Sequence, residues 1–185
     1  MTIDDLLRLP KSALRQHLEA GHPIDPATLD DTVYHGVSLG LPRLVERMTW
    51  KKFYKIFHRD PAGHLRGWNM RAVQNGLDAP WEPLRRRGDT VTFGHFRVVS
   101  GAASDPRVGV RQGLMLDYGL GGNGRFDPIG RVRDPLVSLD SGGVDLLLGW
   151  SYLAVAGRPI GTPSYFALVR GDALDHIAHP CRAAS

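Results

Sequence analysis

Beyond Gly63 the apolar residues of this chain recur at every second position, whereas before it they recur near every third or fourth. That change of period sets the architecture. The segments HLRGWNMRAV, TVTFGHFRVVS, GVRQGLMLDY, VDLLLGWSYLAVAG and TPSYFALVRG are rich in β-branched and aromatic residues. Each is bounded by a turn signal, such as Asn75-Gly76, Gly88-Asp89, Ser104-Asp105-Pro106, Ser141-Gly142-Gly143 or Gly157-Arg158-Pro159. Consecutive strands joined by short turns favour antiparallel meanders over helical crossovers. A sheet of this kind over residues 63–170 is expected to close into a barrel, because closure removes its edges. Residues 171–185 then form a flexible tail.

Residues 1–62 read as helical. Thr2 and Asp5 have capping-box spacing, and Pro10 suits the start of a helix carrying Leu14 and Leu18, with Gly21 as its stop. Asp25-Pro26 opens a short piece running to Tyr34. Pro42 opens the longest predicted helix, over 42–59, with an apolar stripe through Leu44, Met48 and Phe57 and basic residues mostly opposite. Trp50 and Tyr54 fall partly off that stripe, so they either pack beneath the barrel or dock on a membrane surface. The expected class is α+β: N-terminal helices packed on an antiparallel, lipocalin-like or calycin-like β-barrel.

The formal charge of +4 comes from dispersed arginines and the short clusters WKKFYK and LRRRGD. Nucleic-acid binding needs a concentrated basic stripe, so none is expected. No apolar run reaches the length of a membrane span. The N-terminus lacks a signal layout and Cys181 is the single cysteine, which together point to a reducing cytoplasm. The eight histidines show no metal-ligand spacing, so no metal and no cofactor are expected. Gly119, Gly121 and Gly124 match G-x-G-x-x-G after a strand, but Pro128 follows where a helix should begin, so the glycines read as a loop rather than a phosphate cradle. A short helical turn is expected at DPIGRVRD.

Alternation along TVTFGHFRVVS puts Phe93, His95 and Arg97 on one face and Phe96 and Val98 on the other. If the His95 face is interior, His95 and Arg97 are polar anchors of a cavity; otherwise it is half-exposed. Asp117 either caps the glycine loop or lines the pocket. Trp68, Trp150, Tyr152, Tyr165 and Phe166 lie on predicted strands, and most are expected as core packing; the Trp and Tyr rings, Tyr118 with them, also suit a cavity wall, since each joins an apolar body to a polar tip.

Two stretches resemble the uncharacterised bacterial GXWXG/DUF4334 family. The first is YHGVSLGLPRLVERMTWKKF, through Gly36, Trp50, Lys52 and Phe53, although the G-x-W-x-G string itself is absent. The second runs from Leu114 to Arg170, through LDYGLGGNGRFDPIGRVRD, DLLLGWSY and SYFALVR. The resemblance implies a calycin-like barrel and carries no activity with it.

The expected function is binding of a hydrophobic or amphipathic small molecule in the barrel, near His95, Arg97 and Tyr118. Two alternatives stand beside it. One is a barrel cyclase, isomerase or hydratase with His95 or Asp117 as general acid or base. The other is a membrane-surface or interaction protein using the basic helix 42–59.

Overall fold

The structure, a computed structural model, describes residues 1–40 and 51–182. Helix α1 (Ile3–Arg8) starts at Thr2, whose hydroxyl accepts from the Asp5 N–H while the Asp5 carboxylate accepts from the Thr2 N–H, so the capping box is complete. Helix α2 (Lys11–Ala20) follows Pro10 and stops at Gly21. One 3₁₀ turn over Pro26–Leu29, capped by Asp25, leads into the sheet.

The strands are β1 (Thr32–Leu39), β2 (Lys52–Arg59), β3 (Leu65–Arg71), β4 (Arg85–Arg86), β5 (Asp89–Thr90), β6 (Thr92–Ser100), β7 (Leu114–Asp117), β8 (Val132–Ser138), β9 (Leu146–Val155) and β10 (Arg158–Ala173). Eight of them close a barrel in the order β1-β10-β9-β8-β7-β6-β3-β2, with β2 returning to β1, and every pairing is antiparallel. Strands β4 and β5 form a separate small hairpin. The expected α+β architecture of helices on an antiparallel barrel is therefore present.

The boundary of the helical segment needs correction. The barrel begins at Thr32 rather than after Gly63, because β1 and β2 both precede that glycine. The second half of the helix expected over 42–59 is strand β2, and its first half, with Met48 and Trp50, lies outside the described residues. Both faces of β2 are buried: Phe53 and Phe57 pack with the barrel's inner cluster, Tyr54 and Ile56 with an outer one. A strand covered on both sides loses its polar alternation and imitates a helical stripe. Lys52, expected on a solvated helix face, is 1% exposed; its ammonium donates to Asn75 Oδ1 and to the carbonyls of Gly76, Ala79 and Pro80, at 2.9–3.2 Å. No basic helix spans 52–59, so that part of the membrane-surface reading falls. No helix among the described residues is long and apolar enough to cross a membrane.

Three clusters organise the packing. The inner one fills one end of the barrel with Tyr34, Phe57, Leu65, Leu114, Leu116, Leu136, Leu147 and Leu168, with Ile24 and Leu29 joining from the segment before β1. A second sits on the outer wall, where Leu6, Leu14 and Leu18 of the helices meet Val137, Leu148, Tyr152 and Tyr165. The third lies on the outer face of β1–β3, where Val33, Tyr54, Ile56 and Trp68 are joined by Ala178 of the C-terminal segment. The segment expected as a free tail therefore reaches the barrel wall, and its Arg182 N–H donates to the Gly122 carbonyl.

The glycine loop starts no α-helix. Asp117 caps a 3₁₀ turn over Tyr118–Leu120, accepting from the N–H groups of Gly119 and Leu120. A second 3₁₀ turn, Pro128–Arg131, is capped by Asp127, after which the chain enters β8; the helical turn expected at DPIGRVRD ends at Arg131. A Cβ on Gly121 would stand 1.8 Å from the His95 carbonyl oxygen, so only glycine lets the loop lie against β6. Asn123 fastens the same contact, accepting from the His95 N–H and donating to the His95 and Tyr118 carbonyls.

Candidate functional site

Above the apolar end of the barrel, four polar side chains from four places in the chain converge inside it. Lys55 comes from β2, Asn69 from β3, Tyr118 from the end of β7 and Asp134 from β8. The Lys55 and Asp134 side chains are 2% and 3% exposed. The Lys55 ammonium donates to Tyr118 Oη at 2.8 Å and to Asp134 Oδ2 at 3.1 Å. Tyr118 donates to the same Asp134 oxygen at 2.9 Å and accepts from Asn69 Nδ2 at 3.1 Å. Asn69 also donates to the Gly94 carbonyl. Tyr118 Oη thus has its one donor and two acceptor positions filled, which fixes the phenol. Asp134 Oδ1 is buried and has no hydrogen-bond partner.

The surroundings of Lys55 are aromatic. Its Nζ lies 4.8 Å from the ring centre of Phe166, 5.0 Å from Phe96, 5.3 Å from Tyr118 and 5.9 Å from Phe53. Two of those rings occupy space left by glycine: a Cβ on Gly149 would be 2.2 Å from Phe166 and one on Gly67 would be 2.4 Å from Phe96. Ring faces attract an ammonium, the more so where it is desolvated. They do not replace water, however, and burial pushes the Lys55 ammonium below its ordinary range against the opposing pull of Asp134. Burial first, and then the negative Asp134, raise the Tyr118 phenol well above its usual value. An amine, a phenol and a carboxylate are thus held in one buried hydrogen-bonded set.

Lys55, Asn69, Tyr118 and Asp134 all face a cavity of about 300 Å³. Its walls are mostly apolar, from Phe53, Phe93, Ile129, Val132 and Phe166, with the hydroxyl residues Ser38, Ser151 and Ser164. That volume is at the small end for ligand sites. Two larger hollows lie elsewhere. One of about 570 Å³ runs along the outer face of β1–β3 beneath residues 172–179, and one of about 410 Å³ adjoins the glycine loop near Arg125, Arg131 and Arg182. The charged residues lining the outer groove, Arg85, Asp89, Asp172 and Asp175, are exposed, unlike the set inside the barrel.

Of the residues expected at the ligand, Phe93 and Tyr118 line the cavity. The others do not. Phe96, next to His95, belongs to the inner cluster, so His95 and Arg97 point to the outer side of β6. The His95 ring is 6.2 Å from that of Trp68, which lines the outer groove. Burial, helped by the positive Arg66 and His179, lowers the His95 pKa to about 4. Asp117 caps the loop and holds Arg133 Nε at 2.9 Å, fulfilling the structural one of its two expected roles. Trp150, Tyr152 and Tyr165 lie on the outer wall with the helices, and the Arg15 guanidinium covers the Trp150 ring at 5.2 Å. Among the described residues no group of three or more His, Cys, Asp or Glu is placed to hold a metal ion.

Lys55, Asn69 and Asp134 were absent from the expected set. Lys55 carries a legible signal: in Phe53-x-Lys55-x-Phe57 a lysine shares a strand face with two phenylalanines, which marks a buried cation once the segment is read with period two. Asn69 alternates with Gly67 and Leu65 in the same way. Asp134, in Arg-Asp-Pro, reads as a turn residue, and nothing local marks it as interior. Comparison of the sequence with family models and with curated proteins yields no match.

Proposed function

We propose that the barrel binds a small molecule, apolar over most of its length, with an oxygen-bearing end seated at Lys55, Tyr118 and Asn69. The observation that carries this reading is a cationic side chain, buried inside the barrel, in a cavity whose walls are mostly apolar. Burying such a group away from water is costly unless it is paired and hydrogen-bonded, and Asp134 and Tyr118 supply that pairing here. Barrels of eight strands are wide enough to enclose one small ligand. General acid–base chemistry on a bound molecule falls to Tyr118, Asp134 and Lys55 under this reading. His95 and Asp117 stand away from the cavity and have no part in it. Kinship with the GXWXG/DUF4334 family is a proposal of the same standing, supported by the barrel that the resemblance implies.

Displacement of an environment-sensitive dye by octanol, benzyl alcohol and octane tests the reading. The alcohols are expected to displace the dye and to lose about ten- to a hundredfold in affinity in Lys55→Met, as for a lost hydrogen bond to a charged group. Octane is expected to be indifferent to the substitution. Alcohols that bind the wild-type protein and Lys55→Met equally would show that the polar end is not at Lys55.

A further inference from the structure

The ligand's polar end is open to chemical definition, and three observations narrow it. First, one oxygen of Asp134 is already 3.1 Å from Lys55, and its other oxygen is buried without a partner. A carboxylate or phosphate ligand would place a second negative charge on the same lysine in a site of low dielectric, which is strongly disfavoured. A neutral oxygen escapes this penalty. Second, of the chain's four lysines, Lys11 is exposed, Lys51 is half-buried and does not line the cavity, and Lys52 is occupied with four backbone and side-chain acceptors, whereas Lys55 faces the cavity. Third, a phenol and a carboxylate lie within hydrogen-bond reach of that amine.

We infer that Lys55 is a carbonyl-capturing amine and that the cavity takes a small apolar aldehyde or ketone, joined to Nζ as an imine. The inference rests on the binding reading above and specifies its ligand. The ammonium passes one proton to Asp134, leaving a neutral amine whose lone pair forms the C–N bond. As that bond forms the nitrogen becomes positively charged and gives one of its two remaining protons to the carbonyl oxygen, leaving a neutral carbinolamine with its nitrogen lone pair restored. Its hydroxyl leaves as water, protonated through Tyr118 from Asp134, and the nitrogen lone pair closes the C=N bond. Asp134 ends as the carboxylate beside an iminium, so charge and protons are the same before and after, and one water is released. The apolar walls limit the water that would reverse the step. The downward push of burial on the Lys55 ammonium favours release of its proton in the first step.

The experiment is reductive trapping. The full chain is incubated with octanal, cinnamaldehyde or 2-octanone and cyanoborohydride at neutral pH, then digested and mapped by mass spectrometry. The expected result is a reduced adduct on Lys55 forming at least about ten times faster than on the exposed Lys11, and suppressed by octanol. In Tyr118→Phe the Lys55 adduct is expected to form on the order of 100-fold more slowly at saturating carbonyl, where the reading is of rate and not of affinity, the usual size of a lost general acid. Dye displacement by octanol without a preferential Lys55 adduct from any of the three carbonyls overturns the imine and leaves the binding reading intact. Failure of both octanol displacement and labelling overturns the two together. Trapping at the wild-type rate in Tyr118→Phe overturns the proton relay.

Discussion

Replacing Lys55 by methionine tests the energetics of the interior most directly, because it removes one member of a buried ion pair and little else. Methionine keeps the apolar stem of lysine and all but the last atom of its length, so most of the packing inside the barrel survives. What disappears is the charge and two hydrogen bonds, to Tyr118 and to Asp134. Asp134, 3% exposed, then keeps only the Tyr118 hydroxyl at 2.9 Å, with its second oxygen still unpartnered. Breaking a buried pair from one side costs about 3–5 kcal/mol, since it leaves an uncompensated charge. In a domain of this size about 1 kcal/mol corresponds to roughly 2–4 °C, so Tm is expected to fall by roughly 6–20 °C. Urea unfolding should show the loss as a lower midpoint at unchanged m. The double substitution Lys55→Met/Asp134→Leu removes both charges and is expected to recover most of that loss, with stability near or above wild type. A Lys55→Met protein within about 1 kcal/mol of wild type, or a double variant no more stable than the single, would refute the argument.

Two further outcomes follow from groups outside the cavity. His95, with its pKa lowered to about 4 in the folded chain, binds fewer protons than the unfolded chain between pH 4 and 6.5. Stability is therefore full above pH 6.5 and falls, by at most about 3 kcal/mol, as the pH drops to 4; urea midpoints across this range should lose that dependence in His95→Gln, and an unchanged slope would refute it. Gly121→Ala forces a methyl group onto the His95 carbonyl, so a clear fall in Tm is expected, and a wild-type melting curve would show that the loop does not lie against β6.

The strands after Gly63 were legible because turn residues punctuate them, although β6 breaks its alternation at Gly94, whose φ of 56° leaves Phe93 inside and His95 outside. Alternation defines two faces but not which of them is inside. Here the outer wall is itself covered, by α1 and α2 on one side and by the C-terminal segment on the other. Trp68, Tyr152 and Tyr165 are buried on that outer wall, against the C-terminal segment and the helices, and not inside the barrel. The same double burial made β2 look helical, and it hid Lys55 among residues read as a solvated basic face. Asp134 was beyond reach of local pattern altogether: 79 positions separate it from Lys55, and only ring closure brings the two together.

The placement of that pair has a mechanical consequence. Going round the ring from β2 to β8, the path is four strands in either direction. Lys55 and Asp134 therefore stand at opposite ends of a diameter, and their contact acts as a spoke. A closed sheet of hydrogen-bonded strands resists stretching along its circumference but can flatten into an ellipse without breaking a single ladder bond. A spoke opposes that distortion along one axis. Cutting the spoke, as Lys55→Met does, leaves the cross-section along that axis to the ladder and the packed side chains alone.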